Sequence, residues 1–380
     1  MDKVGGNCQK DFEAVRAAFE KNFDEGDLGA SCAVVVDGET VVDLWGGTSD
    51  VAGEHPWERD TIVNVWSTTK TMAALCVLML YDRGSLDVDD PVAEHWPEFA
   101  ANGKEAILVR HLLSHSAGLP GFDAPISKDQ LFDWEYVCER LASQAPWWEP
   151  GTMSAYHSLT QGWLLGEVLR RVDGRTLGTF FAEEVAGPTG ADFHIGLADR
   201  HFGRVAELDV SEVGAPRLDR QGQSEILDRV DKHGPGVTAE LGNTDRWRRS
   251  EFAAANGHGN ARSVAEIHSV IACNGTARGV TLLSPETVDK IFEVQTDGHD
   301  PILGGPIRYG LGFGLRNDTT PISPNDRACF WGGWGGSLAV IDVEARMSVV
   351  YVMNRMSPET LGDNRAGRIL MAAHAARMSS

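Results

Sequence analysis

Positive charge is scarce in this 380-residue chain: thirty-four Lys and Arg stand against fifty-five Asp and Glu, leaving a formal charge of −21. The field around such a protein repels polyanions and anionic lipid surfaces, which argues against nucleic-acid and membrane partners. The excess itself reads as a solvated acidic surface. Long apolar runs are also missing. The longest, Met72 to Tyr81, is roughly half of what a spanning helix requires. Met1 to Lys10 is polar and has neither the basic start nor the apolar stretch of a secretory leader, so a cytoplasmic location is expected. Cysteines number six (Cys8, Cys32, Cys76, Cys138, Cys273, Cys329), lie far apart and form no C-x-x-C pair. That pattern suits reduced, mostly buried thiols better than a disulfide framework or a zinc site. His115, His157 and His258 lack H-E-x-x-H or a related spacing and read as packing or hydrogen-bonding residues, so neither metal nor cofactor is expected. No G-x-S-x-G frames Ser337, which disfavours a nucleophile elbow there.

What is present is ample material for a core, with 42% hydrophobic residues. Phe12, Val15, Phe19 and Phe23 recur at helical spacing over Asp11 to Phe23. Ser31 to Val36 and Thr40 to Trp45 read as strands around Asp37-Gly38, a strong hairpin signal. The other end mirrors this, with strands at Ser337 to Asp342 and Met347 to Met353 and a helix from Asn364 to Arg377; Tyr309 to Leu315 reads as a further strand. Between the ends, helical patterns cover Ile107 to Leu113, Leu131 to Ala142, Ser158 to Val172 and Ser263 to Cys273, whereas Ala206 to Thr244 is polar and weakly periodic, a surface excursion. This arrangement predicts an α+β fold: an antiparallel sheet closed by the two termini and flanked by helices (1–85 with 274–380), plus an inserted, mainly helical domain (86–273).

Ser67-Thr68-Thr69-Lys70 stands at the head of the apolar run, so serine and lysine share one face of a buried helix. A lysine partly neutralised by burial can accept the serine's proton, and the helix start directs N–H groups toward an oxyanion. By itself the pattern is weak, since twenty-two serines and eight lysines give roughly 0.5 chance S-x-x-K matches, and a capping serine with a solvated lysine explains it as well. Tyr156, in a loop before the helix that starts near Ser158, can relay a proton or merely pack. Trp331-Gly332-Gly333-Trp334 opens a strand whose glycines allow close backbone approach to a ligand, or mark a β-bulge. Trp147, Trp148, Phe122 and Trp334 are candidates for the wall of an acyl pocket, though aromatic residues are as readily core.

Ser67-x-x-Lys70, Tyr156-x-Ser158 and Trp331-Gly332-Gly333, in this order between matching terminal hairpins, resemble the three motifs of the penicillin-binding-protein and class C β-lactamase superfamily, and within it the family VIII carboxylesterases. Val109 to Pro120 and Gly84 to Pro91 also look like family segments, so the similarity spans nearly the whole chain. The resemblance implies a β-lactamase/transpeptidase-like fold, with an antiparallel sheet of about five strands between N- and C-terminal helices and the active site at its junction with the helical domain. It implies Ser67 as the acylated nucleophile, Lys70 and Tyr156 as base and proton relay, and the backbone N–H groups of Ser67 and Trp334 as the oxyanion hole. Trp331, Gly332, Gly333, Trp148 and Ser158 would contact substrate. Two departures bear on its choice: Ser158 replaces the Asn usual in β-lactamases, and Trp331 stands where they place lysine. Loss of a cation in a strongly acidic protein favours uncharged esters.

The expected function is therefore hydrolysis of short to medium-chain or aromatic carboxylic esters through an acyl-enzyme on Ser67, with a small-molecule ester as partner and a homo-oligomer compatible with the sequence. An acyltransferase, a β-lactamase or D-Ala-D-Ala peptidase, and a silent binding protein are the rivals. Turnover, product analysis with added alcohol, and covalent labelling of the serine separate them.

Overall fold

The computed structural model describes residues 4–211, 213–214 and 224–379. Both ends of the chain contribute to one antiparallel sheet. Its strands are β1 (Val4–Cys8), β2 (Gly29–Val36), β3 (Glu39–Gly47), β4 (Thr296–Asp300), β5 (Gly305–Tyr309), β6 (Gly314–Leu315), β7 (Ala328–Gly332), β8 (Leu338–Asp342) and β9 (Met347–Met353). They lie in the order β1-β3-β2-β9-β8-β7-β6-β5-β4. The five strands β3-β2-β9-β8-β7 form the expected sheet. β1 widens one edge and β6, β5 and β4 widen the other.

Helices follow from the same apolar periodicities: α1 (Glu13–Asp24), α2 (Lys70–Asp82), α3 (Trp134–Ser143), α4 (Thr160–Asp173), α5 (Glu225–His233), α6 (Ala261–Ala272) and α7 (Asn364–Ser379). The first and last pack on each other and on the sheet, while α6 lies against β2, β8 and β9. Every residue of β2 and β9 is consequently buried, as in strands covered on both faces. The β2–β3 turn places Asp37 and Gly38 at φ 51° and 81°, the left-handed pair that a two-residue hairpin of this twist demands.

Two readings change. Tyr309 to Leu315 is a tight hairpin rather than one strand: Gly310 N–H bonds the Phe313 carbonyl at 2.9 Å and Gly312 takes φ 83°, so the chain reverses between β5 and β6. Within Ala206 to Thr244, residues 212 and 215–223 lie outside the described residues, and the stretch from Ser224 onward is ordered structure. Ser224 caps α5 by accepting the Leu227 N–H, and the helix lies across the cleft. Helix α2, buried from Lys70 to Leu80, is apolar on all sides, as a central helix must be, and it packs against α4. Among the described residues no helix is long and apolar enough to cross a membrane.

Candidate active site

Ser67 opens a single 3-10 turn that runs directly into α2. The residue before it, Trp66, sits at φ 47°, ψ −130°, a conformation a bulky side chain rarely adopts. Holding it there costs about 1–3 kcal/mol, supplied by the surroundings. Its indole is wedged between Trp247 and Trp334, with ring centroids 5.5 and 5.0 Å away, and its carbonyl accepts the Thr69 hydroxyl. The bend turns Ser67 toward the cleft.

Lys70 is buried, with Nζ 3.3 Å from Ser67 Oγ, and it also donates to the carbonyls of Ser158 at 2.7 Å and Ala254 at 2.8 Å. Burial pushes the amine well below its ordinary range. It also stands 4.8 Å from the centre of the Tyr156 ring. Tyr156 shifts the opposite way: burial raises its phenol, the neighbouring Ser67 side chain and Trp331 indole offset part of that, and Asp300 adds to it. Burial thus disfavours the charged form of each group.

An aromatic cage holds the phenol. His115 and Trp331 have ring centroids 5.1 and 5.3 Å from Tyr156, and Tyr309 closes the far side 5.1 Å from His115. Behind them Asp300 is fully buried and accepts the Tyr309 hydroxyl at 2.8 Å and the N–H groups of Ile302 and Leu303. His157 is fixed as one tautomer, donating Nδ1–H to the Ala155 carbonyl and accepting the Leu119 N–H at Nε2. Burial brings it down to about 3, so it is neutral and structural. His258, also down to about 3 through burial, donates to the Asn256 carbonyl.

The glycine-rich turn after β7 comes against Ser67. A Cβ on Gly333 would lie 2.2 Å from the Val65 carbonyl and 3.2 Å from the Ser67 nitrogen, and one on Gly332 would strike Leu361 and Gly362. Ser337 fastens the turn, its hydroxyl 2.9 Å from the Val65 carbonyl and 3.0 Å from the Thr68 hydroxyl. Gly333, Gly335 and Gly336 N–H groups are bonded within the protein, to the carbonyls of Ser337, Glu359 and Gly333. Among the described residues, the N–H groups of Ser67 and Trp334 have no such partner.

A cavity of about 370 Å³ opens over Ser67, walled by Trp66, Phe122, Tyr156, Leu159, Val230 and Trp334, with Ser158 also on its surface. No Lys or Arg lines it, and Asp231 is its one acidic side chain, among the described residues. The sequence-predicted contacts thus separate. Ser67, Tyr156, Ser158 and Trp334 face the cavity; Lys70 lies beneath it. Trp331 is buried behind Tyr156 rather than on the wall. Trp147 and Trp148 are off the wall too: Arg229 stacks on the first, and the second bonds the Met153 carbonyl at 3.0 Å. Ala254, Trp66 and Asp300 escaped sequence reading. The first acts through a carbonyl, the second through its backbone dihedrals, and the third from a polar segment without periodicity.

Comparison with known proteins agrees with this geometry. The sequence profile of the beta-lactamase family matches residues 15–374. "Esterase/beta-lactamase LipL" of Mycobacterium tuberculosis is 34% identical over 374 residues, covering 95% of this chain and 86% of that one. The crystal structure of a family VIII carboxylesterase is 39% identical, with a TM-score of 0.92 over 98% of this chain and 99% of that one. A penicillin-binding protein homologue from Caulobacter crescentus has the same TM-score and coverage at 38% identity. On the strength of the profile match and these near end-to-end relatives, the chain belongs to the beta-lactamase family.

Proposed function

We propose that the protein is a serine carboxylesterase that cleaves uncharged esters through an acyl-enzyme on Ser67. The observation that carries this reading is a buried lysine, held by two carbonyls, 3.3 Å from a serine hydroxyl at the floor of an apolar cavity. Neutral Lys70 takes the Ser67 proton as Oγ attacks the ester carbonyl. The Ser67 and Trp334 N–H groups receive the oxyanion. As the C–O bond breaks, the Tyr156 phenol gives its proton to the departing alcohol and is reprotonated through Lys70. Water then repeats the sequence on the acyl-enzyme, releasing the acid and restoring Ser67.

The lining supports neutral substrates. Among the described residues the wall offers no cation, so a carboxylate such as those of β-lactams or D-Ala-D-Ala peptides would lose hydration there with no compensating charge from them. The relative described as a family VIII carboxylesterase supports the same choice. Ser67→Ala is expected to abolish turnover of p-nitrophenyl butyrate with the fold intact, and wild-type enzyme to prefer that ester to nitrocefin by orders of magnitude. Ester turnover retained in Ser67→Ala defeats the reading.

Six free cysteines support a reducing compartment, consistent with a cytoplasmic enzyme. The helical domain, read from sequence as 86–273, would end nearer Ala261 on this reading, because α6 rests on the sheet. A homo-oligomer is compatible with it.

A further inference from the structure

The turn that carries the Trp334 N–H is gripped from outside the cleft. Arg365, in the first turn of α7, donates Nη2 to the Gly335 carbonyl at 2.7 Å and to Asp363 Oδ2 at 2.6 Å. Its other terminal nitrogen, Nη1, donates to Asp27 Oδ1 and to the Arg355 carbonyl, each at 2.9 Å. Asp27, just after α1, is fully buried and also accepts the Tyr351 hydroxyl. The Gly335 carbonyl takes a second bond from the Ser357 N–H at 3.0 Å. Gly335 and Gly336 adopt φ 103° and 117°, and a Cβ on Gly336 would fall 2.3 Å from Asp363 Oδ2 and 2.7 Å from Arg365 Nη2. Gly336 therefore makes room for the guanidinium, while a Cβ on Gly335 would instead strike Met353 and Met356.

We infer that Arg365, anchored by Asp27, is a positioning residue for the oxyanion turn: its planar fork holds Gly335 so that the Trp334 N–H points into the cleft beside that of Ser67. It touches no substrate, since the cavity wall contains neither residue. The inference rests on the esterase reading, for it assigns the oxyanion role to Trp334. Only a fork fits. One planar group must serve two carboxylates and two carbonyls at fixed angles, with Nε adding bonds to Asp363, which the single ammonium of a lysine cannot do. A turn donor displaced by a fraction of an ångström stabilises the developing oxyanion poorly while leaving substrate binding in the apolar cavity almost untouched.

The test is Arg365→Lys in the full chain, assayed with p-nitrophenyl butyrate and with an alkylboronic acid, whose tetrahedral serine adduct imitates the oxyanion. Per folded molecule, kcat should fall about 10- to 100-fold with KM within about threefold, and boronate affinity should fall in parallel with kcat. Wild-type kcat in folded Arg365→Lys overturns the inference, as does a loss of kcat with boronate affinity unchanged. If that variant does not fold, Asp27→Asn, which keeps the shape of the anchor, is measured in the same way, with about a 3- to 10-fold loss expected and the same two outcomes decisive. Ser67→Ala run alongside keeps the hypotheses apart. An inert Ser67→Ala with a fully active Arg365→Lys sinks only the positioning role, whereas an active Ser67→Ala sinks the esterase reading itself.

Discussion

Lys70 Nζ lies 3.3 Å from the Ser67 hydroxyl, and its other acceptors are two backbone carbonyls rather than a carboxylate. Burial without an ion pair lowers the amine from its ordinary 10.5 and makes its neutral form available at lower pH. The base form grows as pH rises. kcat/KM for a neutral ester should therefore climb with pH through a single limb centred well below 10.5, as read from a pH–rate profile. Lys70→Arg, which cannot shed its proton, should lose about 10³-fold in kcat at every pH.

Tyr156 is raised by burial, so its phenol stays protonated over the working range. Tyr156→Phe keeps the ring inside the His115 and Trp331 cage while deleting the proton. We expect kcat to fall about 10²- to 10³-fold with an unfolding midpoint close to wild type. Activated esters with good leaving groups should suffer less than simple alkyl esters, and equal losses across such a series would exclude Tyr156 as the proton donor.

At Gly333 the added Cβ of alanine would stand 2.2 Å from the Val65 carbonyl, so the turn must retreat from Ser67. Gly333→Ala is expected to reduce kcat about 10- to 100-fold and stability by about 1–3 kcal/mol. Steady-state kinetics and urea unfolding report the two separately.

Three buried histidines, His157, His258 and His268, are each brought down to about 3 from 6.5 by burial. The unfolded chain binds protons at these positions below about 6.5 and the native one does not. Stability is therefore complete above that pH and falls as pH drops, by on the order of 1 kcal/mol per pH unit for each group. The urea midpoint should decline between pH 6.5 and 4.5; a flat profile there would contradict neutral burial.

Local signals survived translation into structure best. Asp37-Gly38 forms its hairpin because two adjacent residues carry all the information the turn needs. Ser67 and Lys70 share one helical face, as their spacing implies, but that spacing alone does not single them out; the conjunction with the Tyr156 and Trp331-Gly332-Gly333 segments does. β1, spelled Val-Gly-Gly-Asn-Cys, and β4, spelled Thr-Asp-Gly-His-Asp, escaped because edge strands need no alternating apolar face. Trp331 is expected to contact substrate because of the motif resemblance and Trp148 because it is aromatic, yet an indole can equally back a neighbouring ring such as that of Tyr156, and only packing decides. Arg365 and Asp27 lie 338 positions apart, beyond any local pattern.

The pairing of β2 with β9, Val36 opposite Met347 through Ala30 opposite Met353, joins segments far apart in the chain. During translation the helix that follows Ser67 emerges well before the strand that completes its supporting sheet. Until then the nascent chain must shelter β2, a strand buried along its whole length in the finished fold, and no truncated product ending before Met347 can fill that place in the sheet. The sheet that backs Ser67 is therefore completed only long after the serine itself has been made.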